Sequence, residues 1–345
     1  MSSVKQLVES GCIASIPSKY VFTRSLDETP TLPQPEAIIP VIDFSLLTSG
    51  NAEQRTKAIK DLGKACREWG FFMIINHNVP EKLMKDMISG SQSFFDLREE
   101  EKQEYAGKAL FDPIRWGTSF NATADETFFW RDYLKIHVHP HFNVNALTKP
   151  AGFSEVIQEY CKQTRELAGE LLRGISKSLG LEEIYIEKKM NKESGPHELM
   201  AINLYPPCPQ PDVAMGLPPH TDHGFITLLM QNELCGLQVL YNGNWVSINP
   251  FPNSFLVNIG DHMEILTNGK HKSVVHRALV NNKATRISIG TAHGPTLDTV
   301  VSPAPEFVDY KTHPPLYRGI KYRDYMQLQQ SNQLNGKSCL DRIRI

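Results

Sequence analysis

The apolar positions change period along the chain. From Asn51 to Trp69, Ala58, Leu62, Ala65, Cys66 and Trp69 recur at helical spacing between Lys, Arg and Glu, and Gly70 marks the stop. Phe71 to Ile75 is a continuous apolar run, the pattern of a buried strand. Helices are predicted over 81–95, 99–105 and 153–179. In the last, Val156, Tyr160, Leu167, Leu171, Ile175 and Leu179 form one stripe before Gly180. Residues 128–137 read as a strand with Tyr133, Lys135 and His137 alternating onto one face, and 187–195, rich in Lys and Glu, as a linker.

From residue 198 the pattern shortens. β-like runs at 199–205, 225–231, 237–241, 245–248, 255–259, 273–279 and 286–292 are separated by turn signals such as Asn242-Gly243 and Asn268-Gly269. Short strands at regular spacing predict a sandwich or jelly roll and not an α/β fold. Residues 4–37 predict a short helix and then a Pro-rich extended leader lying on the main body. Residues 38–44 read as an edge strand, because of Pro40. The expected divisions are an arm over 1–37, an N-terminal section over 38–145, a bracing helix and linker over 146–195, a β core over 196–300 and a C-terminal segment over 301–345.

Composition narrows the function. The 345 residues, 41% hydrophobic and 21% charged, suit an ordinary globular chain. A formal charge of −2 gives no footprint for nucleic acid or an anionic membrane. No run of eighteen apolar residues and no signal- or transit-like start is visible, so the expectation is a cytoplasmic protein with no membrane partner. Six cysteines without CxxC pairs predict free thiols.

Candidate chemistry gathers between residues 203 and 293. In an extended segment His220 and Asp222 share a face, and His276 in a second β run could close the set. Two imidazoles and one carboxylate leave the other positions of an octahedral ion open, the facial triad of non-haem Fe(II) oxygenases. Arg286 and Ser288 again share a face, where a guanidinium fork beside a hydroxyl suits a carboxylate. Metal and anchor together suit a 2-oxo acid cosubstrate.

These motifs, with Ile39-Pro40-Val41-Ile42-Asp43, Glu68-Trp69-Gly70-Phe71-Phe72, Asn203-Leu204-Tyr205-Pro206-Pro207-Cys208-Pro209 and Asn258-Ile259-Gly260-Asp261, resemble the plant 2-oxoglutarate- and Fe(II)-dependent dioxygenases over nearly the whole chain. The resemblance implies an α+β fold: a distorted double-stranded β-helix (a cupin-like jelly roll) with flanking helices and an N-terminal helical and β section. It implies His220, Asp222 and His276 as iron ligands, Arg286 and Ser288 on the distal carboxylate of 2-oxoglutarate, and Tyr205 and Asn203 as further cosubstrate contacts. Phe120, Tyr133, Lys135, Ala201, Thr221, Ala292 and His293 are the implied substrate pocket. Two positions depart from many relatives: Asn78 stands where Gly is common, and Ala292 where an aromatic is common. The expected activity is hydroxylation, desaturation or demethylation of a small plant metabolite, with O2 and 2-oxoglutarate converted to succinate and CO2. Ascorbate is the expected reductant and a monomer the expected state. The alternatives are an ascorbate-dependent oxidase of the ethylene-forming branch, or a jelly-roll binding protein without catalysis.

Overall fold

The computed structural model describes residues 3–11, 15–22, 39–107, 109–119, 127–190, 195–331 and 337–345. The first half forms α1 (Val4–Glu9), β1 (Val41–Asp43), α2 (Phe44–Thr48), α3 (Ala52–Glu68), β2 (Phe71–Ile75), α4 (Glu81–Phe95), α5 (Glu99–Gln103), β3 (Ile114–Thr118), β4 (Asp132–His139), α6 (Phe153–Ser178) and α7 (Tyr185–Met190). The second half runs β5 (His197–Tyr205), β6 (Leu217–His220), β7 (Ile226–Gln231), β8 (Leu237–Tyr241), β9 (Asn244–Ser247) and β10 (Phe255–Ile259). It continues through α8 (Asp261–Leu266), β11 (His276–Ala278), β12 (Arg286–Gly294), β13 (Val300–Val301), β14 (Ile320–Lys321), α9 (Tyr322–Ser331) and α10 (Ser338–Asp341).

Eight strands form one sheet in the order β1-β2-β10-β7-β12-β5-β4-β3, and four form a smaller one, β6-β11-β8-β9. This is the expected jelly roll, as two facing sheets and not a closed barrel. Strand alternation gives the large sheet two kinds of face. Ile202 and Leu204 of β5, Ile287 and Ile289 of β12, and Ile226 and Leu228 of β7 point one way, into a core shared with Leu62 of α3 and Leu171 and Ile175 of α6. Each such buried side chain is worth about 1.5–3 kcal/mol. The intervening residues face the small sheet. Toward the β1 edge this second face is apolar, with Phe71, Met73, Leu256, Leu237 and Val239 packed together. Toward β5 and β12 it opens into a cleft.

The helices begin where the sequence supplies caps. Asn51 and Gln54 form a reciprocal capping box at the start of α3. The start of the leader lies on the body, while its Pro-rich part falls outside the described residues: the backbone N–H groups of Val4 and Lys5 donate to the two oxygens of Asp132, at 2.8 and 2.9 Å. Val4 and Tyr20 bury against Phe128 and Trp130.

Four local expectations are corrected. Strand β4 begins at Asp132, because the preceding aromatics bond elsewhere: Phe128 N donates to Lys19 O and Trp130 N to Met215 O. The first part of the Lys- and Glu-rich linker is helical, as the end of α7, which is anchored by buried Ile186 and Met190. α5 stops at Gln103. Strand β6 ends at His220, so Asp222 lies in a turn and not on the strand. Among the described residues no helix is long and apolar enough to cross a membrane.

Candidate active site

β6 and β11 are neighbours in the small sheet, with His220 directly opposite His276. Each ring is fixed through Nδ1 by a carbonyl two residues earlier, Pro218 O at 2.8 Å and Val274 O at 3.2 Å. A ring nitrogen facing a carbonyl donates, so each Nε2 keeps its lone pair for the cleft. Asp222 enters from the turn after β6. Its Oδ1 is 3.7 Å from His220 Nε2 and 3.6 Å from His276 Nε2, and the three donor atoms lie within 4.8 Å of one another. The turn depends on Gly224, at φ +85°, where an added Cβ would stand 2.9 Å from His293 O. Asn258 Nδ2 donates to Asp222 Oδ2 at 2.9 Å, leaving Oδ1 facing the imidazoles.

Electrostatics put His220 and Asp222 in their metal-binding forms. Burial, and then the neighbouring His276, push the pKa of His220 down, so the ring is neutral. Burial opposes ionisation of Asp222, but the two imidazoles and Asn258 outweigh it and hold the carboxyl below its ordinary range. Neutral His and ionised Asp are what a divalent cation requires. The donor set therefore fits iron.

Across the cleft, β12 pairs with β5 so that Arg286 stands opposite Tyr205, Ser288 opposite Asn203, Gly290 opposite Ala201 and Ala292 opposite Leu199. All eight line the cleft, with Thr227 and Leu229 of β7 and Asn258 of β10. The space is about 980 Å³, its mouth included. Arg286 is buried, its Cζ 5.0 Å from the Tyr205 ring centroid. Its Nη1 finds no hydrogen-bond partner among the described residues. A buried guanidinium N–H left this way beside a serine hydroxyl fits an incoming carboxylate.

The other sequence candidates divide. Lys135, Ala201 and Ala292 line the cleft with the triad, Arg286, Ser288, Tyr205 and Asn203. Thr221 does not: its hydroxyl donates to Asp261 Oδ2 at 3.0 Å. His293, one residue beyond Ala292, faces the opposite side of β12, with Nδ1 3.4 Å from Glu198 Oε1. Tyr133 is not among the lining side chains; its ring lies between Arg131 and Lys135. Phe120 lies outside the described residues. Asn78 is exposed with φ +61°, a left-handed conformation that Asn tolerates better than other side chains, so it replaces a glycine away from the cleft. Sequence reasoning missed Arg131, Thr227, Asn258, Gly290 and Gln329 as lining residues. Stepping by two from Arg286 reaches Gly290; the others come from strands, a helix and the residue just before β4, whose facing only the tertiary structure sets.

A jelly roll whose cleft sets two imidazoles and a carboxylate near a buried guanidinium defines the non-haem iron oxygenases that consume a 2-oxo acid. A family profile for the 2OG-Fe(II) oxygenase superfamily matches residues 196–295, and one for the N-terminal region of non-haem dioxygenases in morphine synthesis matches 39–155. The chain is 45% identical over 313 residues to 2-oxoglutarate-dependent dioxygenase 19 of Oryza sativa subsp. japonica, covering 90% of this chain and 91% of the relative. It is 38% identical to DMR6-LIKE OXYGENASE 2 of Arabidopsis thaliana, covering 100% and 99%. Among solved structures, the crystal structure of JOX2 in complex with 2OG, Fe and JA superposes with a TM-score of 0.89 at 30% identity, over 100% of this chain and 98% of that one. The chain belongs to the 2-oxoglutarate- and Fe(II)-dependent oxygenase superfamily, and it is a dioxygenase of that class using Fe(II), 2-oxoglutarate and O2 on a small-molecule substrate.

Proposed function

We propose that His220, Asp222 and His276 hold Fe(II), and that Arg286 and Ser288, with Tyr205 beside them, seat the far carboxylate of 2-oxoglutarate. Asn203 accepts from Arg131 Nη1 at 2.9 Å and shapes the same wall. The observation that carries the reading is the unpartnered Nη1 of Arg286, next to Ser288 and in one cleft with the triad. Bound iron supplies the O2 chemistry, with 2-oxoglutarate oxidised to succinate and CO2. The protein's part is to position and to keep water out: the Nδ1 contacts fix both rings, Asn258 orients Asp222, and the apolar floor of Leu199, Ala201, Leu229 and Ala292 would hold the substrate beside the triad.

The substrate is a small plant metabolite that is hydroxylated or demethylated. Support comes from relatives named flavanone 3-dioxygenase 2, flavonoid 7-O-demethylase 1 and thebaine 6-O-demethylase, at 35–36% identity. Ascorbate serves as reductant, and the protein works as a cytoplasmic monomer without nucleic-acid or membrane partners, in keeping with its charge of −2. Segment 38–145 contributes the outer strands β1–β4, and 196–300 the metal-bearing core.

The test is direct. The wild-type protein binds one Fe(II) and forms succinate from 2-oxoglutarate with O2 uptake. Asp222→Ala abolishes iron binding and succinate formation together. Undiminished succinate from the variant ends the assignment.

A further inference from the structure

The turn that carries Asp222 brings a third imidazole to the cleft. His223 is half-buried and lines it. The turn is pinned near the far end of β12, where Phe225 N donates to His293 O at 2.8 Å, while Arg286 is the first residue of that strand. His223 therefore sits at the end of the cleft away from the cosubstrate anchor.

One of its ring nitrogens is occupied. His223 Nδ1 lies 2.7 Å from the hydroxyl of Tyr322, a fully buried side chain with no other hydrogen-bond partner among the described residues. Gly294 makes room for that phenol, since an added Cβ would run into Tyr322 Oη. A buried O–H with a single neighbour donates to it, because the alternative leaves its hydrogen unpaired. Nδ1 is then the acceptor, and the ring carries its own hydrogen on Nε2. Nε2 has no hydrogen-bond partner among the described residues. It is not sealed in the interior, as both nitrogens of His262, packed on the same Tyr322 ring, are. His223 thus offers the cleft an N–H that gives a hydrogen bond and, with Nδ1 occupied, takes none.

The floor beside it is flat. Gly290 on β12 stands opposite Ala201 on β5, and Ala292, two residues further along, faces the same way. Neither backbone nor neighbours demand a glycine at 290. Its φ is not positive, and a Cβ there would meet Leu229 Cδ1 at 3.6 Å and Thr227 Cγ2 at 3.7 Å, ordinary contacts. A glycine inside a strand costs stability, so what this one contributes is open surface. Ala201, Gly290 and Ala292 leave a strip bearing nothing larger than a methyl group.

We propose that His223 is a specificity-determining residue, its Nε2–H donating to a carbonyl oxygen of the substrate while a flat ring of that substrate lies on Ala201, Gly290 and Ala292. This rests on the oxygenase reading of the same cleft. A carbonyl suits the position better than a hydroxyl, because a carbonyl only accepts and the fixed N–H only gives. Since His223 follows Asp222 directly, an oxygen held there places the ring beside the triad, and the bond selects which edge of the ring faces it.

The experiment uses the full chain under nitrogen, with Fe(II) and saturating 2-oxoglutarate so that the Arg286 end is occupied. Acetophenone, fluorenone and benzophenone are titrated by calorimetry against ethylbenzene, fluorene and diphenylmethane, hydrocarbons of matching shape. The expected result is a ketone-to-hydrocarbon affinity ratio that falls about tenfold in His223→Phe for at least one pair. Difference infrared spectra are expected to show the carbonyl stretch of that ketone lowered in the wild-type complex and restored in His223→Phe. A histidine that only held the turn would not produce that signature. Because the ratio is taken within each protein, partial loss of folded material does not mimic it. No ketone bound, a ratio unchanged in His223→Phe, or a carbonyl stretch the same in both proteins overturns the proposal. Separate titration of Fe(II) and 2-oxoglutarate tells the two readings apart: if both bind the wild-type protein and one of these results appears, only the carbonyl assignment fails.

Discussion

Gln231 Oε1 accepts from both Nε and Nη2 of Arg286, at 3.1 and 2.6 Å, so the plane of the guanidinium is set before any ligand arrives. Gly236 closes the other side, where an added Cβ would come within 2.9 Å of Arg286 Cδ. Gln231 is a positioning residue, since it holds the anchor and leaves the unpartnered Nη1 for the cosubstrate. Replacing it with leucine keeps the volume but removes the acceptor, and a buried hydrogen bond to a charged group is worth about 1.5–3 kcal/mol. The expectation for Gln231→Leu is a KM for 2-oxoglutarate raised on the order of tenfold or more, with kcat changed much less. Steady-state kinetics at varied 2-oxoglutarate check it. A fall in kcat at unchanged KM would remove Gln231 from this role.

Helix α9 does for the metal side what Gln231 does for the cosubstrate side. Three of its residues on one face reach the turn that carries Asp222: Tyr322 Oη and His223 Nδ1 are 2.7 Å apart, Tyr325 Oη donates to Asp261 Oδ2 at 2.6 Å, and Gln329 Nε2 donates to Thr221 O at 3.0 Å. Asp261 N closes the loop by donating to Asp222 O at 2.8 Å. Partners of this kind orient metal ligands, and losing one typically costs about 10–100-fold in metal affinity. Gln329→Leu leaves Thr221 O buried without its donor, and Fe(II) titration of the variant is expected to show weakening of at least about tenfold. Unchanged affinity would mean that the turn holds itself. The helix was not legible from the apolar pattern. Its contact face is Tyr322, Tyr325, Met326 and Gln329, at helical spacing but largely polar in type. α7 escaped for a similar reason: two buried anchors, Ile186 and Met190, sit among Lys and Glu. The helices α3, α4 and α6 were legible because their stripes are apolar. The triad was legible through spacing, although the strand beneath it stops at His220 and a turn, not strand pleat, brings Asp222 round.

At the scale of the whole molecule, the large sheet was readable strand by strand, but its order was not, since β2 and β10 pair across 180 residues of sequence and β12 inserts between β7 and β5. That crossing of distant segments also buries many titratable groups, and their balance sets the response to acid. His197 and His262 are pushed down to about 3, and His271 to about 4, by burial first and by neighbouring imidazoles or cations second. Each is neutral when folded, while its unfolded form takes up a proton near pH 6.5. Their contribution to stability is therefore full above that value and lost as the pH falls below it. Asp132 and Asp261 work the other way: burial raises them to about 6 and 7, so the folded protein keeps protons that the unfolded chain gives up. Around pH 5.5 these three imidazoles gain a proton on unfolding and the two carboxyls release one each, roughly one net proton or about 1.4 kcal/mol per pH unit as a minimum. It is a minimum because His220 and His223, lowered to about 3 and about 4, take up further protons when the metal-free chain unfolds. His77 and His137, also lowered by burial, add to the same sign. Urea unfolding of the metal-free protein should show stability nearly level from pH 8 to 7, then falling by at least this slope between pH 6 and 5. A curve that stays level or climbs over that interval would mean that these imidazoles are hydrated in the folded chain, and that its interior is more open to water than the packing around Tyr322 and Tyr325 allows.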